Sequence, residues 1–199
     1  MCGRYALLNP SGLFSRFGVT NQLDQLSPND DIRPTQLAPV VAMGHRAAYM
    51  RWGLIPSWAK DPSIGKKMIN ARVEGLEQKP SFRRPLRVSR CLIPATGFYE
   101  WQTTGRSKVK YQFGLEDGEL FGLAGLYDTW LDENGEEKET FTIITTTPNE
   151  LVGAVHNRMP AILDPADEEV WLDPDETDSL HLLTYLRPFP TEALRAQIV

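Results

Sequence analysis

The sequence predicts a single α+β domain in which mostly antiparallel strands form the centre and helices lie near both ends of the chain. Three observations indicate this class. Alternating and β-branched segments recur between residues 37 and 147, and apolar residues at helical spacing occur before and after them. No internal repeat or low-complexity linker divides the 199 residues. We therefore assign residues 1–199 to one domain, since a chain of this length can bury a sizeable core.

The first elements are a strand over residues 4–8 and a helix from Ser11 to Phe17. The predicted strands that follow cover residues 37–43, 46–52, 88–94, 97–102, 111–115, 120–126, 127–131 and 141–147. We expect a hairpin between 111–115 and 120–126, and another across the turn Asp132-Glu133-Asn134-Gly135. Residues 68–74 fit either a strand end or a helix start. Further helical segments are predicted near residues 81–84, 148–155, 164–172 and 178–186.

Composition excludes several protein classes. With 41% hydrophobic and 24% charged residues, the chain resembles an ordinary soluble protein, and it has neither a membrane-length apolar run nor a secretory signal pattern. Two cysteines, Cys2 and Cys91, provide no disulfide framework and no metal-ligand spacing. We expect a cytoplasmic protein without cofactor or metal, and we expect Cys91 to be a buried strand residue.

The charges are unevenly distributed. The net charge is −5, yet residues 51–110 hold 13 Lys/Arg against 4 Asp/Glu, and residues 111–199 hold 4 against 19. This asymmetry fits a face that binds a polyanion, although opposite charges that mix on the folded surface would explain it equally well. Trp52, Trp58 and Trp101 are more often core residues, but loop tryptophans near Lys60 and Lys66 can also stack on bases.

Cys2 offers a specific chemistry at the start of the chain. Initiator methionine is normally trimmed before a small residue, and loss of Met1 would give Cys2 a free α-amine beside its thiol. This 1,2-aminothiol traps aldehydes, because the amine forms an imine and the tethered thiol closes a thiazolidine ring. We expect Arg4 to lower the pKa of both groups. On Met1-Cys2-Gly3-Arg4 alone, an incidental cysteine on a loose terminus remains an alternative.

Three further positions fit acid–base or positioning roles. Glu100 lies among Phe98, Tyr99 and Trp101, where poor solvation should raise its pKa, and strand alternation should place it opposite the last two. His156 follows a predicted helix and is a candidate acid–base group. Asn70 and Arg72 face the same way if extended, an arrangement that suits a nucleic-acid site. An exposed Glu100 and a structural His156 are the competing interpretations.

Five segments together resemble the SOS-response-associated peptidase (SRAP) family of abasic-site-processing proteins. They are Met1-Cys2-Gly3-Arg4-Tyr5, Trp52-Gly53-Leu54-Ile55-Pro56-x-Trp58, Ile69-Asn70-Ala71-Arg72-x-Glu74, Arg90-Cys91-Leu92-Ile93-Pro94 with Gly97-Phe98-Tyr99-Glu100-Trp101, and His156-x-Arg158-Met159-Pro160. The segments extend from residue 1 to about residue 163. One departure stands out, because Asp31-Ile32-Arg33-Pro34 replaces the Asn-x-Ala-Pro that is common in the family.

The resemblance implies a β-barrel-like centre, a basic groove for single-stranded DNA, and a thiazolidine crosslink between Cys2 and the aldehyde of an abasic site. It implies that Asn70 positions the sugar and the N-terminus, that Glu100 shuttles protons and contributes to release of Met1, and that His156 promotes opening of the deoxyribose ring. The implied DNA contacts are Arg4, Arg72, Trp101, Thr145 and Trp58.

From the sequence we therefore expect a monomeric, self-processing enzyme with lyase-like activity. It would shield abasic sites in single-stranded DNA, associate with the nucleoid during DNA damage, and have no membrane partner. Two alternatives remain open at this point. The first is a cysteine peptidase that acts on other proteins, and the second is a non-catalytic reader of modified or single-stranded DNA.

Overall fold

A computed structural model describes residues 2–199, and the predicted loss of Met1 lies outside these residues. The described chain contains twelve strands. In chain order they are β1 (Tyr5–Leu7), β2 (Asn29–Ile32), β3 (Leu37–Ala42), β4 (Arg46–Trp52), β5 (Asn70–Arg72), β6 (Arg90–Ala95), β7 (Gly97–Thr104), β8 (Ser107–Gly114), β9 (Phe121–Leu131), β10 (Glu137–Thr146), β11 (Met159–Pro160) and β12 (Arg195–Ile198).

The helices are short, and most of them lie near the ends of the described chain. They are α1 (Leu13–Arg16), α2 (Arg83–Val88), α3 (Glu150–Gly153), α4 (Pro165–Leu172) and α5 (Ser179–Leu183). Asn149 caps α3 by accepting a hydrogen bond from the backbone N–H of Val152 at 2.9 Å. In the described residues, none of these helices is long and apolar enough to cross a membrane.

Five strands close into a ring. The pairing order β10-β4-β3-β6-β9 returns to β10, because β9 and β10 form a long antiparallel hairpin. Strand β5 joins β10 in parallel at Ile143↔Asn70, and β11 joins it at Thr145↔Pro160. Each of these five strands therefore pairs with another strand on both sides along part of its length. The expected α+β fold with a barrel-like centre is confirmed.

A second sheet of five strands has the order β12-β8-β7-β1-β2. Its inner residues, such as Tyr5 and Phe98, share one apolar core with ring residues such as Ile93 and Phe141. A second core joins other ring residues to the helices through side chains such as Trp171. Cys2 is fully buried and belongs to the first of these two cores.

Most predicted elements are present, with some corrections. The hairpin between residues 111–115 and 120–126 is wrong: β8 pairs with β7 and β12, whereas β9 belongs to the other sheet. The chain crosses between sheets at this turn, which local sequence does not reveal. Strands β2 and β12 were not predicted, because their polar residues show no apolar alternation. The two strands predicted over residues 120–126 and 127–131 are one continuous strand, β9. Residues 70–72 form a strand, which settles the open choice for residues 68–74.

Candidate functional site

The candidate site lies where β1, β5 and β7 converge. The side-chain amide of Asn70 donates a 2.8 Å hydrogen bond to the backbone carbonyl of Cys2. Trp52 holds the residue before Asn70, because its Nε1 donates to the carbonyl of Ile69 at 2.8 Å. The indole itself lies between the rings of Tyr5 and Phe141, at centroid distances of 5.3 and 6.2 Å. Packing in the first core therefore fixes β5, the strand whose Asn70 holds the backbone of Cys2.

The electrostatic surroundings of Cys2 differ from the prediction. Burial raises the pKa of the thiol far above its ordinary value, and the carboxylate of Glu100 raises it further. The guanidinium of Arg4 points instead towards Asp31 and the Trp101 ring. The expectation that Arg4 lowers the thiol pKa is therefore wrong, because burial dominates. In the described form, Cys2 is a protonated thiol at neutral pH.

Glu100 and His156 form the titratable part of the site. Glu100 is 2% exposed, and burial raises the pKa of its carboxyl above the ordinary value, as its aromatic surroundings predicted. Strand alternation places it on the face of β7 opposite Trp101, which is half-buried. The Nδ1 atom of His156 lies 3.9 Å from Oε1 of Glu100. The two side chains are close enough for a proton to pass between them after a small movement of either side chain.

The ring of His156 is held by the backbone that follows it. Its Nδ1 lies 3.1 Å from the backbone N–H of Arg158 and 3.2 Å from the carbonyl of the same residue. These two contacts fix the position of the ring beside Glu100.

Arg158 anchors the segment that carries His156, a role that the sequence did not reveal. Its guanidinium makes a two-pronged ion pair with Glu74, at 2.6 and 2.9 Å, and also donates to the carbonyl of Thr145 at 2.5 Å. The hydroxyl of Thr145 is fully buried and lies 3.5 Å from the same guanidinium. In this form of the protein Thr145 therefore supports Arg158, and its predicted DNA contact remains a prediction.

The other predicted DNA contacts occupy different places. Arg4 and Trp101 lie together at the mouth of the site, with the guanidinium carbon 5.5 Å from the ring centroid. Arg72 is exposed at the end of β5. Trp58, 58% exposed, lies on a loop that packs on β9 through a 2.8 Å hydrogen bond from the Ser57 N–H to Asp128. Trp58 lines a separate cavity of about 440 Å³ with Arg83 and Arg84.

Comparisons with known proteins identify the family. The family model described as SOS response associated peptidase (SRAP) matches residues 1–199. The chain belongs to the SRAP family. It is 41% identical to the abasic site processing protein YoqW of Bacillus subtilis over 203 residues, covering 98% of this chain and 91% of the relative. It is 38% identical to the abasic site processing protein HMCES of Gallus gallus, covering 70% of this chain and 48% of the relative.

A solved structure shares the SRAP fold seen here. The crystal structure of a protein from Bacteroides thetaiotaomicron superposes with a TM-score of 0.93 at 33% identity, covering 100% of this chain and 92% of that one. Within the described part of this chain, no group of three His, Cys, Asp or Glu side chains could hold a metal ion.

The buried thiols of this SRAP chain predict a pH-dependent stability. Burial raises the pKa of both Cys2 and Cys91 above the ordinary thiol value, so the folded state keeps two protons that the unfolded chain releases near pH 9. That stability is fully present below pH 9 and is lost as pH rises. We expect the free energy of unfolding to fall by about 1.4 kcal/mol per pH unit for each thiol.

Urea unfolding between about pH 8 and pH 10 measures this slope. Cys91→Ala should remove about half of it, since one buried thiol remains. A free energy of unfolding that stays level over this range, in both proteins, would contradict the prediction.

Proposed function

We propose that this protein senses abasic sites in single-stranded DNA and crosslinks to them through Cys2 after Met1 has been removed. The observation that carries the proposal is the position of Cys2, which is tied to Asn70 and lies beside the buried Glu100 and the partly exposed His156. An abasic site exposes an aldehyde in its ring-opened form, and a 1,2-aminothiol captures aldehydes. The names of the relatives, abasic site processing proteins, support the same substrate.

The covalent chemistry proceeds in two steps. The α-amine of Cys2 attacks the C1′ aldehyde of the opened deoxyribose, and loss of one water gives an imine. The thiol then adds across the C=N bond, so that a C–S bond forms and the proton moves to nitrogen. The product is a thiazolidine, and ring closure is favoured because nucleophile and electrophile are tethered. The lesion is then shielded, because its aldehyde no longer exists to promote strand cleavage.

Glu100 and His156 supply the proton transfers in this scheme. Loss of water from the first adduct needs a general acid, and a carboxyl whose pKa is raised by burial retains its proton closer to neutral pH. His156, partly exposed beside it, opens the deoxyribose ring by exchanging a proton with the sugar oxygens. Asn70 holds the backbone of Cys2 so that the amine meets the aldehyde in one orientation.

The nucleic acid would follow exposed cations and aromatic rings around this centre. Arg4 and Arg72 would contact phosphates, whereas Trp101 and Trp58 would stack on bases or sugars. Thr145 would act at this surface only after Arg158 moves, since its side chain is buried. Stacking on splayed bases requires a single strand, and we propose that one copy of the chain provides the complete site.

Removal of Met1 precedes crosslinking. While Met1 is attached, the nitrogen of Cys2 is an amide and cannot form an imine, so a chain that keeps Met1 is a precursor. We propose that the protein can release Met1 itself. The Cys2 thiol attacks the carbonyl carbon of Met1, the C–N bond breaks as Glu100 gives a proton to the leaving nitrogen, and water then hydrolyses the Met1 thioester. Peptidase activity on other proteins is disfavoured, because the fully buried Cys2 thiol is out of reach of a foreign peptide bond, whereas the bond between Met1 and Cys2 adjoins it in the chain.

Intact-protein mass spectrometry tests the proposal. The purified protein is measured alone and after incubation with a single-stranded oligonucleotide that carries one abasic site. We expect the free protein to lack Met1, and we expect a new species equal to protein plus oligonucleotide minus one water. A matched oligonucleotide without the lesion serves as the control. A protein that lacks Met1 and binds the abasic strand without any covalent product would favour the non-catalytic reader instead.

A further inference from the structure

Three charged side chains meet at the mouth of the site, on the edge of the five-stranded sheet. Asp31, in β2, lies between Arg4 and Arg33. The Nε of Arg33 is 2.8 Å from Oδ2 of Asp31, and a second guanidinium nitrogen contacts the same oxygen. The Nη1 of Arg4 lies 3.3 Å from Oδ1 and 3.5 Å from Oδ2. One carboxylate therefore joins two arginines, and Arg33 is the nearer partner.

The same carboxylate fixes the direction of Arg4. The guanidinium of Arg4 lies between Asp31 and the ring of Trp101, so two contacts restrict an otherwise flexible side chain. About a third of the Arg4 side chain remains exposed and can still meet a ligand. Asp31 stays anionic, since the hydrogen bond from Arg33 holds the pKa of its carboxyl below the ordinary value.

A carboxylate beside a phosphate-binding arginine has a cost. Alone, Asp31 would cancel the charge of Arg4 and repel an approaching phosphate. Arg33 offsets this cost, because it donates to Asp31 from two nitrogens. The charges of Arg4, Asp31 and Arg33 then sum to one positive charge.

We propose that Asp31 is a positioning residue that aims Arg4 at a DNA phosphate, and that Arg33 neutralises Asp31 so that Arg4 keeps its attraction for that phosphate. Arg33 thus acts through Asp31 and touches no phosphate itself. The inference rests on the proposed function, because it takes DNA as the ligand of Arg4. Arg33 is 54% exposed, so its ion pair with Asp31 contributes little to folding, and the effect of its removal belongs to DNA binding rather than stability.

The test is a cycle of Arg33→Ala, Asp31→Asn and the double variant, measured by fluorescence anisotropy with an undamaged single-stranded oligonucleotide between about 50 and 200 mM salt. Arg33→Ala should weaken binding about 3- to 10-fold and reduce the slope of log K against log salt by about 0.7, the value for one phosphate contact on a single strand. The double variant should regain wild-type affinity and slope, because both charges are gone.

The positioning role of Asp31 has its own readout. Asp31→Asn should bind at least as tightly as wild type, yet it should crosslink abasic DNA several-fold more slowly at saturating DNA, since Arg4 is no longer aimed. Arg187→Ala is the matched control: its side chain is 55% exposed, against 54% for Arg33, and it also pairs with aspartates, Asp164 and Asp167. It should change neither the salt slope nor the crosslinking rate.

Two results would overturn the inference. One is an equal loss of affinity for Arg33→Ala in the wild-type and Asp31→Asn backgrounds, which would mean that Arg33 binds phosphate directly. The other is a wild-type crosslinking rate for Asp31→Asn at saturation. Failure of the proposed function looks different, because no variant would then crosslink, while the salt slopes with undamaged DNA would still decide the role of Arg33.

Discussion

Cys2→Ala is expected to abolish the denaturation-resistant adduct between this protein and abasic single-stranded DNA. Alanine is small enough for Met1 to be trimmed by a cellular aminopeptidase, so the variant can still present an α-amine. That amine forms only an imine, which hydrolyses, since no thiol is present to close the ring. Denaturing gel electrophoresis without a reductant measures the loss, and borohydride should recover part of the adduct by trapping the imine.

Cys91→Ala is the matched control for this experiment. Cys91 is likewise fully buried, and burial likewise raises the pKa of its thiol, but it lies within β6 and has no free amine. Its replacement should leave the adduct yield unchanged. If Cys2→Ala gave a normal yield of a stable adduct, the thiazolidine mechanism would be refuted and another nucleophile would have to be sought.

Glu100→Gln is expected to slow crosslink formation by about 100-fold or more, the usual contribution of a general acid–base group. Glutamine keeps the size and polarity of the buried side chain but cannot donate a titrating proton. The raised pKa of the Glu100 carboxyl also predicts a pH profile. Its protonated fraction falls as pH rises through that value, so the wild-type rate of imine formation should decline there, and the variant should lack this limb. Quenched-time-course gels at several pH values measure both effects, on wild-type and variant protein whose mass shows that Met1 has been removed.

Glu168→Gln provides the control for burial itself. Glu168 is 5% exposed, and burial raises the pKa of its carboxyl too. It lies in α4 and pairs with Arg16. Its replacement should lower stability and leave the crosslinking rate per folded molecule unchanged. His156→Ala should slow the reaction as well, because ring opening loses its proton carrier. Normal rates in both Glu100→Gln and His156→Ala would remove the assigned roles.

The fold was predictable where strands carry an apolar pattern and where a turn joins true neighbours. The β9–β10 hairpin follows from the Asp-Glu-Asn-Gly turn between two apolar runs. The turn at residues 116–118 shows similar local signals, yet it links two different sheets. Strands β7 and β8 form a local hairpin, but the pairing of β8 with β12 joins residues about 85 positions apart, such as Gln112 with Gln197. Such contacts leave no mark on the local sequence.

The candidate site was predictable in its residue types but not in its supports. Aromatic neighbours were enough to predict the raised pKa of Glu100. The raised pKa of Cys2 was not predictable, because it arises from burial that the whole fold creates. The clamp between Arg158 and Glu74 spans 84 positions, and Arg4, which precedes β1, contacts Asp31 on β2, a strand that its polar sequence does not predict. Residue types indicate a reaction, whereas the partners that aim them appear only in three dimensions.

Strand β10 pairs with β5 on one edge and with β9 on the other, whereas β2, among the described strands, pairs with β1 only. Amides of β10 should therefore exchange with solvent more slowly than those of β2. Asn70 lies on β5, which pairs with β10, whereas Asp31 lies on β2 at the edge of the other sheet. Under the proposed role of Arg33, a substitution there would change affinity for DNA and leave the strand that holds Asn70 undisturbed.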